Sequence, residues 1–200
     1  SQMANPNTPY GLQLVQRDGA ADFRASLKRY FVPASTTSAL YQGDPIIIVA
    51  SSADSLGYNG VKLATAGTSN KITGVVCGFL GTGTPNPSFF GLSGTPGPAY
   101  KPASNTVAYN VLVCDDPSAL YEVQANGSLA ATQVGKNANL VSGTGSVYTG
   151  WSGWQLSTTS IGTASTLQLT IVGLVQDPRN VAGVNAKALV RINNNTNINA

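Results

Sequence analysis

This sequence predicts an all-β fold: one domain built as a β-barrel or a jelly-roll-like sandwich of short antiparallel strands. Three observations carry that expectation. Glycine (22) and proline (11) are abundant in a chain of 200 residues, so turns are frequent. Short apolar runs rich in Val and Ile recur between turn residues, at spacings near the 8–12 residues typical of sandwiches and barrels. No heptad, solenoid repeat or long helical period interrupts them. An apolar fraction of 42% suffices for a core without a disulfide or metal staple.

Taken in order, Ser1 and Gln2 precede Met3 and read as a cloning remnant, with Met3 as the native start. Residues 1–10 form a polar, proline-punctuated arm; from residue 3 it is either a disordered tail or an extended segment that orders on a partner, and the extended arm is expected. A single β domain is expected over 11–193, followed by a frayed asparagine-rich tail over 193–200, of which 194–200 lies beyond the domain. Leu12 and Leu14 alternate with Gln13 and Val15 as a first strand, and Arg17 to Ala25 reads as a polar loop. Tyr30, Phe31 and Val32 form a strand that stops at Pro33. Ile46-Ile47-Ile48-Val49 follows the turn Gln42-Gly43-Asp44-Pro45, and its three isoleucines predict a strand covered on both faces. Tyr58-Asn59-Gly60 signals a hairpin into Val61-Lys62-Leu63-Ala64. Ile72 to Leu80 is another strand covered on both faces, with Cys77 inside it.

Residues 81–102 break the pattern. They are rich in Gly, Pro, Ser and Thr, with Phe89, Phe90 and Tyr100 interspersed, and loops of this length are usually functional or disordered. Val111 to Cys114 is then an unbroken apolar run, stopped by Asp115-Asp116-Pro117-Ser118, where proline removes a ladder donor and aspartate bonds its own backbone. Leu120 and Glu122 face one way along the next strand, Tyr121 and Val123 the other. The two strands and their acidic corner make either a hairpin or a unit that switches sheets. A strand is expected near Asn139-Leu140-Val141 within 133–142. Clean alternation marks Leu167 to Val172, and Ala186 to Ile192 is the last strand.

Charge is scarce. Only 10% of residues are Asp, Glu, Lys or Arg, against roughly 25% in ordinary domains. Such a surface is expected to be covered by another protein. The net charge of +3 is too small and too scattered for a nucleic-acid footprint, and no run is long enough to span a membrane. No histidine occurs, which removes Ser-His-Asp and Cys-His nucleophilic sites and imidazole metal motifs. Cys77 and Cys114 read as reduced and buried. No catalytic, cofactor-binding or metal residue is expected, and no cofactor. Asp115, Asp116 and Glu122 lie close in sequence and could flank a sugar bond, as glycosidase acids do, but Asp115-Asp116-Pro117 reads as a turn former whose carboxylates cap backbone amides, and Asp44-Pro45 and Asp177-Pro178 repeat that grammar. Tyr148, Trp151 and Trp154 are open to three readings: core aromatics, a protein interface, or a platform for sugar rings.

Several segments resemble the capsid cement, or decoration, proteins of tailed bacteriophages. They are Ala4-Asn5-Pro6-Asn7-Thr8-Pro9-Tyr10-Gly11-Leu12, Tyr41-Gln42-Gly43-Asp44-Pro45-Ile46 and Ile72 to Phe79. To these are added Asp115 to Gln124 continuing to Gly135-Lys136-Asn137-Ala138-Asn139-Leu140, and Ala186 to Asn193. The resemblance implies a non-enzymatic virion protein, made in the bacterial cytoplasm, that binds the exterior of the expanded head and holds it against internal DNA pressure. Its partner would be the major capsid protein, with a homo-oligomer (dimer or trimer) expected and neither nucleic acid nor membrane bound. The expected partner-binding residues are Asn5, Pro6, Pro9, Tyr10, Phe89, Phe90, Trp151 and Trp154. The alternatives are a carbohydrate-binding β-sandwich module and a tail or spike component.

Overall fold

A computed structural model describes residues 5–17, 27–82, 98–104 and 106–196. In chain order its strands begin with β1 (Gln13–Arg17), β2 (Leu27–Val32), β3 (Leu40–Tyr41), β4 (Pro45–Val49) and β5 (Gly60–Leu63). They continue with β6 (Gly74–Thr82), β7 (Tyr100–Lys101), β8 (Tyr109–Cys114), β9 (Ala119–Gln124), β10 (Ser128–Leu129) and β11 (Asn137–Ala138). The last are β12 (Leu140–Val141), β13 (Gln155–Leu156), β14 (Leu169–Leu174), β15 (Gly183–Val184) and β16 (Lys187–Ile192). The fold is all-β, as expected. Strands β2-β5-β4-β6-β8 close into a barrel, and β1-β9-β16-β14-β11 form an antiparallel sheet beside it. The barrel departs from the antiparallel expectation at one place: Phe31 and Gly60 pair in parallel where β2 meets β5.

The period-2 alternation of each barrel strand sorts its side chains into two cores. Tyr109, Val111 and Val113 of β8, with Tyr30 and Val32 of β2, point into the barrel. Ile46 and Ile48 join them, whereas Ile47 packs with the second cluster, so the three isoleucines are covered on both faces. That second cluster joins barrel residues Val75 and Cys114 to Tyr121, Val123, Leu169, Ile171 and Val190 of the sheet.

The acidic corner is the sheet switch. β8 pairs with β2 and β6 in the barrel, β9 with β1 and β16 in the sheet. Asp116 makes the predicted turn, its carboxylate accepting from the amide (2.9 Å) and hydroxyl (2.7 Å) of Ser118. Asp115 is buried and turns back to the barrel, accepting from the Tyr30 hydroxyl at 2.8 Å and pairing with Lys28 at 2.9 Å.

Three local expectations are corrected. The β4–β5 hairpin closes through residues 50–59, because Asp54 gathers the amides of Leu56 and Tyr58 at 2.9 Å each; Gly60 instead lies in β5 against Phe31. Residues 133–142 divide into the end of a 3₁₀ turn, Ala131–Gln133, and two strands in different sheets. Asn139 causes the break by accepting the Gln168 amide at 3.3 Å and donating to Thr68 at 2.9 Å. Residues 193–196 are not frayed: Ile72 donates to the Asn194 carbonyl, Thr196 to that of Ile72, and Asn195 is fully buried.

Two buried polar side chains complete the frame. The Gln168 carboxamide donates to the Thr65 and Asn70 carbonyls and accepts from the Gly67 and Leu140 amides, so every polar atom is satisfied. Lys101 sits in a cage of three carbonyls, from Thr36, Ser38 and Pro102, at 2.8–3.1 Å, and burial lowers its pKa.

Candidate partner-binding surface

The most exposed aromatic group among the described residues is built on the turn 143–153, a stretch of Gly, Ser and Thr with no charged residue. Composition alone would make it floppy. Hydrogen bonds prevent that. The Ser146 amide donates to the Trp151 carbonyl at 2.9 Å, and the Gly150 amide donates to the Ser146 carbonyl at 2.8 Å. The Ser146 hydroxyl accepts the amides of Tyr148 and Thr149 at 3.3 Å. At the base, Gly143 and Gly153 cross so closely that a Cβ on the first would lie 2.0 Å from the carbonyl oxygen of the second. Gly150 takes a left-handed φ of +74° against the Ala99 carbonyl, which only glycine does without strain.

The turn is fastened to the barrel entrance. Gln42 donates to the Gly150 carbonyl at 2.9 Å and accepts from the Ser152 amide at 2.8 Å, forming a parallel bridge with Trp151. Beside it, Tyr41 stacks on Tyr100 with ring centroids 5.3 Å apart. Asp44 is the polar centre of this junction. Its carboxylate accepts the Tyr41 amide at 2.9 Å and a bond from Ser152. The other oxygen, Oδ1, has no partner among the described residues. Burial pushes the Asp44 pKa up to about 6, and the two hydrogen bonds oppose that rise.

What this frame presents is Tyr148, 95% exposed, with Val147 and Trp151 each 49% exposed. Trp154, three residues on, is buried in the second core. The two tryptophans therefore share no exposed face, and the sugar platform they suggested together is not formed by both.

The remaining expected contact residues separate. Pro6 and Pro9 are exposed, whereas Asn5 and Tyr10 are buried against the chain's own sheet. Phe89 and Phe90 lie outside the described residues. Residues 5–10 lie on the face of the sheet opposite the second core. Tyr10 donates its hydroxyl to Glu122, and the Lys187 ammonium stands 5.5 Å from its ring centroid. Burial, then the Glu122 carboxylate, raises the Tyr10 pKa. In the sequence Tyr148 is open to an interface reading but stands outside the expected contact residues, and Gln124, which binds the arm, is not foreseen. The uncharged Gly/Ser/Thr frame on both sides of Tyr148 was the available signal; Gln124 offered none.

The two cysteines are neighbours across β6 and β8, and both are free thiols. Burial pushes the Cys77 thiol up to about 12, helped by adjacent Cys114. No group of three or more potential metal ligands occurs among the described residues. No described helix is long and apolar enough to cross a membrane. Comparison with protein-family models, with curated proteins and with solved structures finds no match to this chain.

Proposed function

We propose that this chain is a non-enzymatic structural protein of a virion, a cement or decoration protein that binds the outside of an expanded phage head through the major capsid protein. The observation that carries the reading is the rigid, uncharged turn that holds Tyr148 almost wholly in solvent with Val147 and Trp151 beside it. A preorganised turn loses little backbone entropy on binding, and Tyr and Trp are the residues interfaces use as anchors. The charge-poor composition and the segments that resemble phage cement proteins support the same reading. Binding only the expanded lattice would stabilise that state by mass action, and repetition over a symmetric shell would multiply modest affinities.

Co-sedimentation with empty expanded shells tests this. Saturable binding that persists at high salt, and that falls at least about tenfold in Tyr148→Ala with the fold intact, is the expected result. Absence of binding to matched expanded shells would overturn the reading. A Trp151 fluorescence shift with glycans in that case would point to carbohydrate binding.

A further inference from the structure

The seat of residues 5–8 is built like a peptide-binding site. The Gln124 carboxamide donates to the Pro6 carbonyl at 2.8 Å and accepts the Thr8 amide at 3.0 Å. These two backbone groups flank Asn7, and they are the pair that one residue of a parallel strand would engage. One buried side chain thus reads an extended backbone without a ladder. Asn5 is held by its side chain: its amide donates to the Val181 and Val184 carbonyls at 2.8 and 3.0 Å, and its oxygen accepts the Val181 amide at 3.2 Å. The Asn185 side-chain amide donates to the Asn5 carbonyl at 3.2 Å, and the Asn185 backbone carbonyl accepts from Gln124, also at 3.2 Å. Asn185 has a left-handed φ of 57°, an uncommon conformation outside glycine that recurs at ligand clamps.

We propose that this groove is a receptor for an uncharged, extended segment of the pattern Asn-Pro-Asn-Thr, and that it accepts that segment from a second copy of this chain as well as from its own. Every bond that holds the arm comes from a side chain or backbone group of the body, so the seat is indifferent to which chain supplies the arm. An isolated chain fills its own groove because tethering gives the arm an effective concentration on the order of millimolar. Six extended residues reach roughly 20 Å, so exchange needs abutting copies, where a neighbour's arm is presented at a comparable concentration. The inference does not depend on what the assembled copies enclose.

The test uses a chain beginning at Tyr10 and a fluorescent peptide of residues 3–9, read by anisotropy. Saturable binding is expected, about tenfold weaker for a peptide carrying Asn5→Ala and for a chain carrying Gln124→Glu, which still accepts the Thr8 amide but cannot donate to Pro6 and sets a carboxylate oxygen against its carbonyl. Unlabelled full-length chain near millimolar concentration should move the Gln124 side-chain amide resonance of the shortened chain as the peptide does. No saturable peptide binding to a folded shortened chain would overturn the groove. Peptide binding without the full-length effect would overturn the second copy as its occupant. Should the shortened chain not fold, full-length chain carrying Asn5→Ala must bind free peptide about tenfold more tightly than the unaltered chain, because its own arm competes less; equal binding overturns the proposal.

Discussion

Replacing Asp44 by asparagine should remove a pH dependence that this carboxyl imposes on stability. Burial lifts its pKa to about 6 from an ordinary 3.8, so the folded chain holds the Asp44 proton more tightly than the unfolded one. The stabilisation from protonation is complete below the unfolded value and is lost as pH rises through about 6. A difference of about two units corresponds to about 3 kcal/mol in all, of which about 2.5 kcal/mol falls between pH 4 and pH 8. Asp177, held low by Arg179, acts with the opposite sign at lower pH. Both chains share every other titratable group, so the difference between them isolates Asp44. Urea denaturation of the parent and Asp44→Asn across pH 4–8 should give a stability difference that drifts by about 2.5 kcal/mol, in the variant's favour as pH rises. A difference constant to within about 0.5 kcal/mol would refute the reasoning, since the carboxyl would then titrate alike folded and unfolded.

Gln168→Leu leaves two amides and two carbonyls without their partner, and a loss of about 3 kcal/mol or more is expected in the same denaturation assay. Gly143→Ala forces a methyl into the Gly153 carbonyl and should cost about 1–3 kcal/mol, with faster amide exchange across 143–152 as the second readout. Cys77, with its pKa near 12, should alkylate at pH 8 roughly a thousandfold more slowly than an ordinary cysteine; rapid labelling of the folded chain in a mass spectrum would contradict its burial.

Strand alternation made most of the barrel legible. Val111, Val113 and the paired isoleucines Ile46 and Ile48 announced a common inward face because a pleat permits no other arrangement. The corner at Asp115 and Asp116 was legible as a turn, but its choice between hairpin and sheet switch depends on which strands flank β8 and β9, which no local signal encodes. The Asn59-Gly60 pair misled because Asp54 supplied a stronger side-chain turn a few residues earlier. Residues 193–196 looked like solvated tail because asparagine is polar. Their amides and carbonyls are instead absorbed by Ile72, Gln168 and the 165–167 segment. Of the candidate surface, the aromatic content was readable and its direction was not. Trp151 and Trp154 stand in near-identical Ser/Gly surroundings, and only long-range packing sends one outward and the other into the core.

The barrel is stitched unevenly around its circumference. β2 and β8 face each other along the whole of β2, whereas β2 and β5 meet at one parallel pair, backed by the Phe31 amide bonding the Asn59 carbonyl at 3.1 Å. That makes the β2–β5 line the seam at which the cylinder parts first. Breathing there would wet Tyr30, Val32 and Val61 while β8, laced on both edges, stayed shut, so the first protons exchanged from the barrel wall should come from Phe31 and its flank.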